Sequence, residues 1–137
     1  MPVYLLDTCT VIWIANGEAL KEPAAGALED APAHGRGVFV SPITAWEIAM
    51  LVAKNKIALS MDPEAWFDRV VALPGVGLAT MPPSVLIQSC GLPGAPPADP
   101  VDRILVATAR ASGHTLVTRD RHLLAYGGEG HVRVMGC

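Results

Sequence analysis

The stretch VYLLDTCTVI, residues 3–12, ends an apolar run with a carboxylate almost at the start of the chain. Val3, Tyr4, Leu5 and Leu6 read as a buried strand. Asp7 follows at once, and then come the hydroxyls of Thr8 and Thr10. The reason for closing a core strand with a charge depends on where the other acidic residues fall.

Pro and Gly divide the rest of the chain into short units. Segments 10–20 and 23–31 read as short helices, and 37–41 as a second strand. SPITAWEIAMLVAKNK, residues 41–56, predicts a helix with Ser41 as N-cap and Pro42 at its first position. The device recurs with Asp62 and Pro63, and again with Asp99 and Pro100 in DPVDRILVATARASG, where Gly113 stands ready to end the helix. Residues 75–80, 114–118 and 131–136 read as strands, 82–90 as a helix, and 119–127 as a turn with a helical piece. GLPGAPPAD, residues 91–99, predicts a loop, mobile over 91–98. Strands separated by helices imply parallel pairing with crossovers, hence an α/β fold: a three-layer α/β/α sandwich around a central, mostly parallel sheet. With 137 residues, a single domain over 1–137 is expected.

The chain is 51% hydrophobic with a mean hydropathy of +0.38. No apolar run nears the ~20 residues that span a bilayer. MPVYLLD lacks a basic n-region and meets a charge too soon for a signal peptide, so a cytoplasmic protein without a membrane partner is expected. Cys9, Cys90 and Cys137 are odd in number and show no CxxC spacing, and the four histidines show no i, i+4 pairing. Neither a disulfide framework nor a zinc site is indicated. A net charge of −3 argues against a broad nucleic-acid-binding surface, unless several acids are gathered around a cation.

Such a gathering is what the spacing suggests. In open parallel sheets, sites form outside the carboxyl ends of the strands. Asp7 follows the first strand and Asp120 follows TLVT, so both belong on one edge of the sheet. Glu47 shares a stripe with Ile43, Met50 and Leu51, where a carboxylate is costly unless a cation or donor meets it. Asp99 is most simply a helix cap. Asp102, three residues on, suits either capping or catalysis, since it shares a side with Leu105, Val106 and Ala109 and leans toward the sheet. Two bare carboxylates ~5 Å apart at an effective dielectric of ~20 repel by about 3 kcal/mol. A divalent cation removes that conflict, and oxygen ligands select a hard one, Mg²⁺ or Mn²⁺.

LLDTCTVIW, SPITAWEIAMLVAKNKI, DPVDRILVATA and TLVTRD, in that order and spacing, resemble the PIN-domain family, and within it the VapC-type toxins of bacterial toxin–antitoxin pairs. The resemblance spans essentially the whole chain. It implies a Mg²⁺-dependent endoribonuclease whose catalytic and metal-binding residues are Asp7, Glu47, Asp102 and Asp120. It also implies a homodimer silenced by a cognate antitoxin that covers the active-site groove. Two positions depart from the pattern. Cys9 stands where a His is common, and APPADPVDR lacks the His often found before the Asp-Pro pair.

Around the four acids, Thr118, Thr8 and Ser41 are candidates to hydrogen-bond a carboxylate, and Asp99 to touch the metal. Arg103 and Arg119 adjoin proposed ligands and are candidates to meet RNA phosphates. Setting four of the 13 acids aside leaves nine against ten basic residues, an excess too small for indiscriminate binding. Trp13, Trp46 and Trp66 lie in apolar runs and are expected to pack in the core or at an interface. A haloacid-dehalogenase-like phosphatase would need an acid at Cys9, and a receiver domain would need a mid-chain strand-end Asp that this chain lacks. The remaining alternative is a catalytically idle PIN-like module that binds antitoxin or RNA.

Overall fold

A computed structural model describes residues 3–30 and 37–137. In chain order its elements are β1 (Tyr4–Leu6), α1 (Thr8–Ala15), α2 (Ala24–Asp30), β2 (Val38–Val40), α3 (Pro42–Ala53), α4 (Pro63–Val71), β3 (Val76–Leu78), α5 (Pro83–Gln88), α6 (Pro100–Ser112), β4 (Thr115–Thr118), α7 (Arg121–Gly128) and β5 (Arg133–Gly136). The five strands form one sheet in the order β3-β2-β1-β4-β5. Every adjacent pair is parallel, so the sheet expected to be mostly parallel is wholly so among the described residues.

Alternation along the strands builds the three layers, because successive side chains point to opposite faces. Tyr4, Leu6, Val40 and Val117 enter a core shared with Val11 of α1, Ile48 of α3, and Trp66 and Val70 of α4. Leu5 and Leu116 point the other way and pack with Val101, Leu105 and Val106 of α6 and Leu123 and Tyr126 of α7. Both faces of β1 and β4 are therefore covered, and their sequences are runs of apolar and β-branched residues, YLL and TLVT.

The three expected Pro-led caps are present. Ser41, Asp62 and Asp99 each accept a backbone N–H from the first turn of their helices, and Gly113 closes α6 at φ 70°, where a Cβ would be strained. The expected helix 10–20 instead starts at Thr8, because Asp7 caps it directly after β1. Residue 31 of the expected helix 23–31 lies outside the described residues.

Of the two placements expected for the tryptophans, core or interface, the core is excluded for Trp46, which is 54% exposed. Thr44 and Ile48 take the buried side of α3, and a residue two positions from either is turned about 200° around the helix. Trp66 is in the core, and Trp13 is half-buried against it.

The loop over 91–98, expected to be mobile, has ties to two of its own carbonyls and to two just before it. Arg103 of α6 donates to the carbonyls of Ser89 at 2.9 Å, Pro97 at 3.2 Å and Cys90 at 3.5 Å. The Tyr126 hydroxyl reaches the carbonyl of Pro93. Arg103→Ala removes three of these ties and is expected to lower stability by about 1–2 kcal/mol. Urea melts should show that loss, and amide exchange should quicken across 89–98 while β1 and β4 stay protected.

Candidate active site

The strand order reverses at β1: β2 and β3 extend to one side, β4 and β5 to the other. Loops leaving β1 and β4 diverge there, and the crevice between them is where open parallel sheets place ligands. Leu6 of β1 pairs with Val117 of β4, so the next residues along, Asp7 and Thr118, stand side by side.

Asp7 is buried and is the entire connection from β1 to α1. Its Oδ1 accepts the Thr10 N–H at 2.8 Å and its Oδ2 accepts the Thr118 hydroxyl at 2.5 Å. The same Thr118 oxygen accepts the Asp120 N–H at 3.0 Å. One fully buried hydroxyl thus links the residue after β1 to the turn after β4. Asp120 caps α7, its Oδ1 accepting the N–H groups of His122 and Leu123 at 2.9 and 3.0 Å. Asp99 caps α6 with one oxygen, accepting from Val101 and Asp102 at 2.8 and 3.2 Å. Asp102 lies in the first turn of α6, and Glu47 comes from the middle of α3.

These residues line a single cleft of about 320 Å³, bounded by Asp7, Thr8, Cys9, Trp13, Glu47, Asp99, Asp102, Arg119 and Asp120. A larger open depression of about 1140 Å³ lies at the opposite end of the strands, around Arg110, His114 and Arg133, and carries no carboxylate in its lining. Of these two depressions, only the one at the carboxyl end is lined by carboxylates.

Three of the supporting candidates fall outside the cleft lining. Thr118 lies behind it, holding Asp7 from below. Ser41 is fully buried and its hydroxyl accepts from the Ile43 N–H at 3.1 Å, so it caps α3. Arg103 spends its guanidinium on loop carbonyls and is not a cleft residue. Thr8 does line the cleft, its hydroxyl 3.3 Å from that of Thr44 and close enough to Glu47 to steady the ionised form. Two lining residues, Cys9 and Trp13, were not among the candidates. Their signal was position alone, since both lie within two turns of Asp7 on α1.

The acids feel one another. Burial, and then Asp99, Asp120, Asp7 and Glu47 in that order, push the Asp102 carboxyl up to about 7. Burial raises Glu47 too, opposed by the Thr8 hydroxyl and reinforced by Asp99 and Asp7. Partial desolvation and then Asp7, Glu47, Asp102 and Asp120 push the Cys9 thiol up to about 11. Five carboxylates perturb each other across one small cleft that holds a single basic residue, Arg119, and an all-oxygen donor set of this kind fits a hard divalent cation. Among the described residues no three such side chains already close around one point, so coordination requires side-chain rotation. Asp102 and Glu47, which serve as no helix cap, have that freedom.

The doubly wound parallel sheet with an acidic cleft at its reversal point defines a class, and the sequence agrees with it: residues 4–129 match the PIN domain, and the chain belongs to that family. It is 32% identical over 127 residues to Ribonuclease VapC22 of Mycobacterium tuberculosis, covering 92% of this chain and 93% of the relative. In fold it is similar to VapBC2 from Rickettsia felis, solved bound to a DNA fragment from the promoter, with a TM-score of 0.69, 15% identity and 98% of each chain covered. A toxin–antitoxin complex from Klebsiella pneumoniae gives a TM-score of 0.61 at 23% identity, covering 96% of this chain and 95% of the other.

The shared burial of the acids has a measurable consequence. Asp102 starts from an ordinary value of 3.8 and rises to about 7 on folding, so between those values the folded chain holds a proton that the unfolded chain has released. Cation-free protein therefore loses stability from this group as pH rises through that window. His114, whose pKa burial lowers from 6.5, acts in the opposite sense and gains stability as pH rises. Subtracting the melting profile of Asp102→Asn from wild type in chelator isolates the carboxyl. The wild type is expected to fall relative to the variant between about pH 4 and 7; a flat difference would show that Asp102 is not desolvated among the other acids.

Proposed function

We propose that this chain is a Mg²⁺-dependent endoribonuclease, the toxin half of a toxin–antitoxin pair, acting on RNA phosphodiester bonds. The observation that carries the reading is the arrival of Asp7, Glu47, Asp102 and Asp120, from four separate elements, in one cleft at the β1/β4 reversal. Family membership supports it, as does likeness to a relative whose name is ribonuclease.

Asp7, Asp102 and Asp120 would hold the cation, directly or through water, with Glu47 bound through water or orienting the nucleophile; Asp99 has a second oxygen free to join them. Mg²⁺, or Mn²⁺ in its place, would supply charge neutralisation at the phosphate and a water acidified toward neutrality. The side chains do the rest. Asp102 yields the proton that its surroundings hold near neutral pH, so affinity for the cation rises with pH. Glu47, half-buried and desolvated, would accept a hydrogen bond from a water and fix its direction. Thr118 locks the rotamer of Asp7 and ties it to the Asp120 backbone.

The solved neighbours in toxin–antitoxin complexes support a cognate antitoxin as partner; its covering this cleft, and a homodimer in the cytoplasm, complete the reading. A catalytically idle module is disfavoured because all four acids line the cleft.

Asp7→Asn and Asp102→Asn are each expected to keep the circular-dichroism spectrum of the wild type and to abolish Mg²⁺-dependent cleavage of labelled cellular RNA. Both should also lose the Mg²⁺-induced rise in melting temperature, which in wild type follows RT ln(1 + [L]/Kd). Thr118→Val, which leaves every ligand in place, should weaken metal affinity or activity by about 10–100-fold. Full cleavage by either Asn variant would remove the proposal.

A further inference from the structure

Arg119 and Trp13 form a feature that the four acids do not account for. Among the described residues lining the cleft, Arg119 is the one basic side chain, set among five carboxylates. A guanidinium so placed would be expected to fold inward and pair with them. It does not: among the described residues Arg119 makes no ion pair, the one pair within reach being His131 with Glu129. Its central carbon instead lies 3.5 Å from the centroid of the Trp13 ring.

The chain geometry explains the placement. Arg119 follows β4 directly and precedes the cap of α7, while Trp13 lies on α1, which starts from the neighbouring strand β1. Trp13 is half-buried and packed against the core, so it is a fixed platform rather than a swinging ring. Stacking occupies the flat face of the guanidinium and leaves its N–H groups, which lie in the plane, free at the edge. Those donors match the oxygens of a phosphate. The ring thus performs two tasks: it keeps the cation out of the carboxylate cluster, and it holds that cation at the rim.

Resting on the nuclease reading above, we propose that Arg119 docks an RNA backbone phosphate at the rim of the acidic cleft, with Trp13 as its positioning residue. A polyanion approaching five carboxylates needs a fixed positive group beside them, and this pair provides it without blocking the metal ligands. The contact is to the backbone, so it sets where the strand lies and carries no base preference.

The test is binding of a fluorescently labelled, mixed-sequence single-stranded RNA to the full chain, by anisotropy across a salt series with Ca²⁺ in place of Mg²⁺. Arg119 is exposed, so Arg119→Ala leaves the fold intact. It is expected to weaken binding about five- to tenfold at low salt and to reduce the slope of log K against log salt by about 0.7, the loss of one phosphate contact. Trp13→Leu should reproduce that loss, Trp13→Phe should restore most of it, and Arg119→Ala with Trp13→Leu should be no worse than Arg119→Ala alone. Unchanged affinity and slope in Arg119→Ala would overturn the proposal. Additive losses, or a Trp13→Leu variant that binds as wild type, would overturn the positioning role. Mg²⁺-induced stabilisation of Arg119→Ala serves as the control and should be no smaller than in wild type, because the variant removes a positive charge from beside the carboxylates. If wild type fails to cleave RNA while the Arg119 effect persists, the nuclease reading falls and the docking site stands; if Asp102→Asn abolishes cleavage while Arg119→Ala binds normally, the docking site alone falls.

Discussion

Side-by-side pairing of β1 with β4 is the constraint on which the cleft depends. It puts Asp7 next to Thr118, and through Thr118 next to the turn bearing Asp120. The register is not set by those polar groups. Leu5, Leu116 and Val117 are completely buried, and a slip of one residue would send each to the wrong face of the sheet. The apolar core therefore determines where the carboxylates stand, and they pay for that position in mutual repulsion.

What makes the repulsion tolerable is the direction of the helices. Asp7, Asp99 and Asp120 are the N-caps of α1, α6 and α7, and all three helices begin at the cleft. Each presents orphan N–H groups and the positive end of its dipole to an acid. Structural capping and a collection of ligand oxygens are thus one arrangement rather than competing explanations. Asp102 and Glu47 lie beyond the caps, and burial pushes both of their carboxyls up. They are the members of the group whose charge is least supported by the protein itself.

Much of this was legible in the sequence because it rested on local rules. Ser41-Pro42, Asp62-Pro63 and Asp99-Pro100 mark helix starts by chemistry that acts within four residues, and the apolar and β-branched runs at 3–6 and 115–118 mark buried strands the same way. Asp7 and Asp120 could be assigned to one edge because both follow strands of a parallel sheet. The failures were long-range. Trp46 belongs to a helix that is apolar nearly all round, so nothing local distinguishes its outer face from its inner one. Arg103 adjoins a cleft acid in sequence, yet its side chain runs toward the carbonyls of Ser89 and Pro97. The stacking of Arg119 on Trp13 joins residues from two helix–strand junctions and is visible only when β1 and β4 are seen as neighbours.

Net charge misleads for a related reason. Five of the 13 acidic residues and one of the ten basic ones, Arg119, line the cleft, leaving eight acids against nine basic residues elsewhere, so the body of the chain is slightly basic and the acidity is local. A polyanion is repelled by the slot and not by the surface around it. A divalent cation in that slot raises its charge by two and so weakens the repulsion over the distance of a few bond lengths, well inside the Debye length. Cation and nucleic acid must then bind with positive coupling, and linkage requires the coupling to be equal in both directions. The acid that resists ionisation without a partner, Asp102, sits at the centre of that coupling, because each opposite charge brought into the cleft favours its carboxylate form.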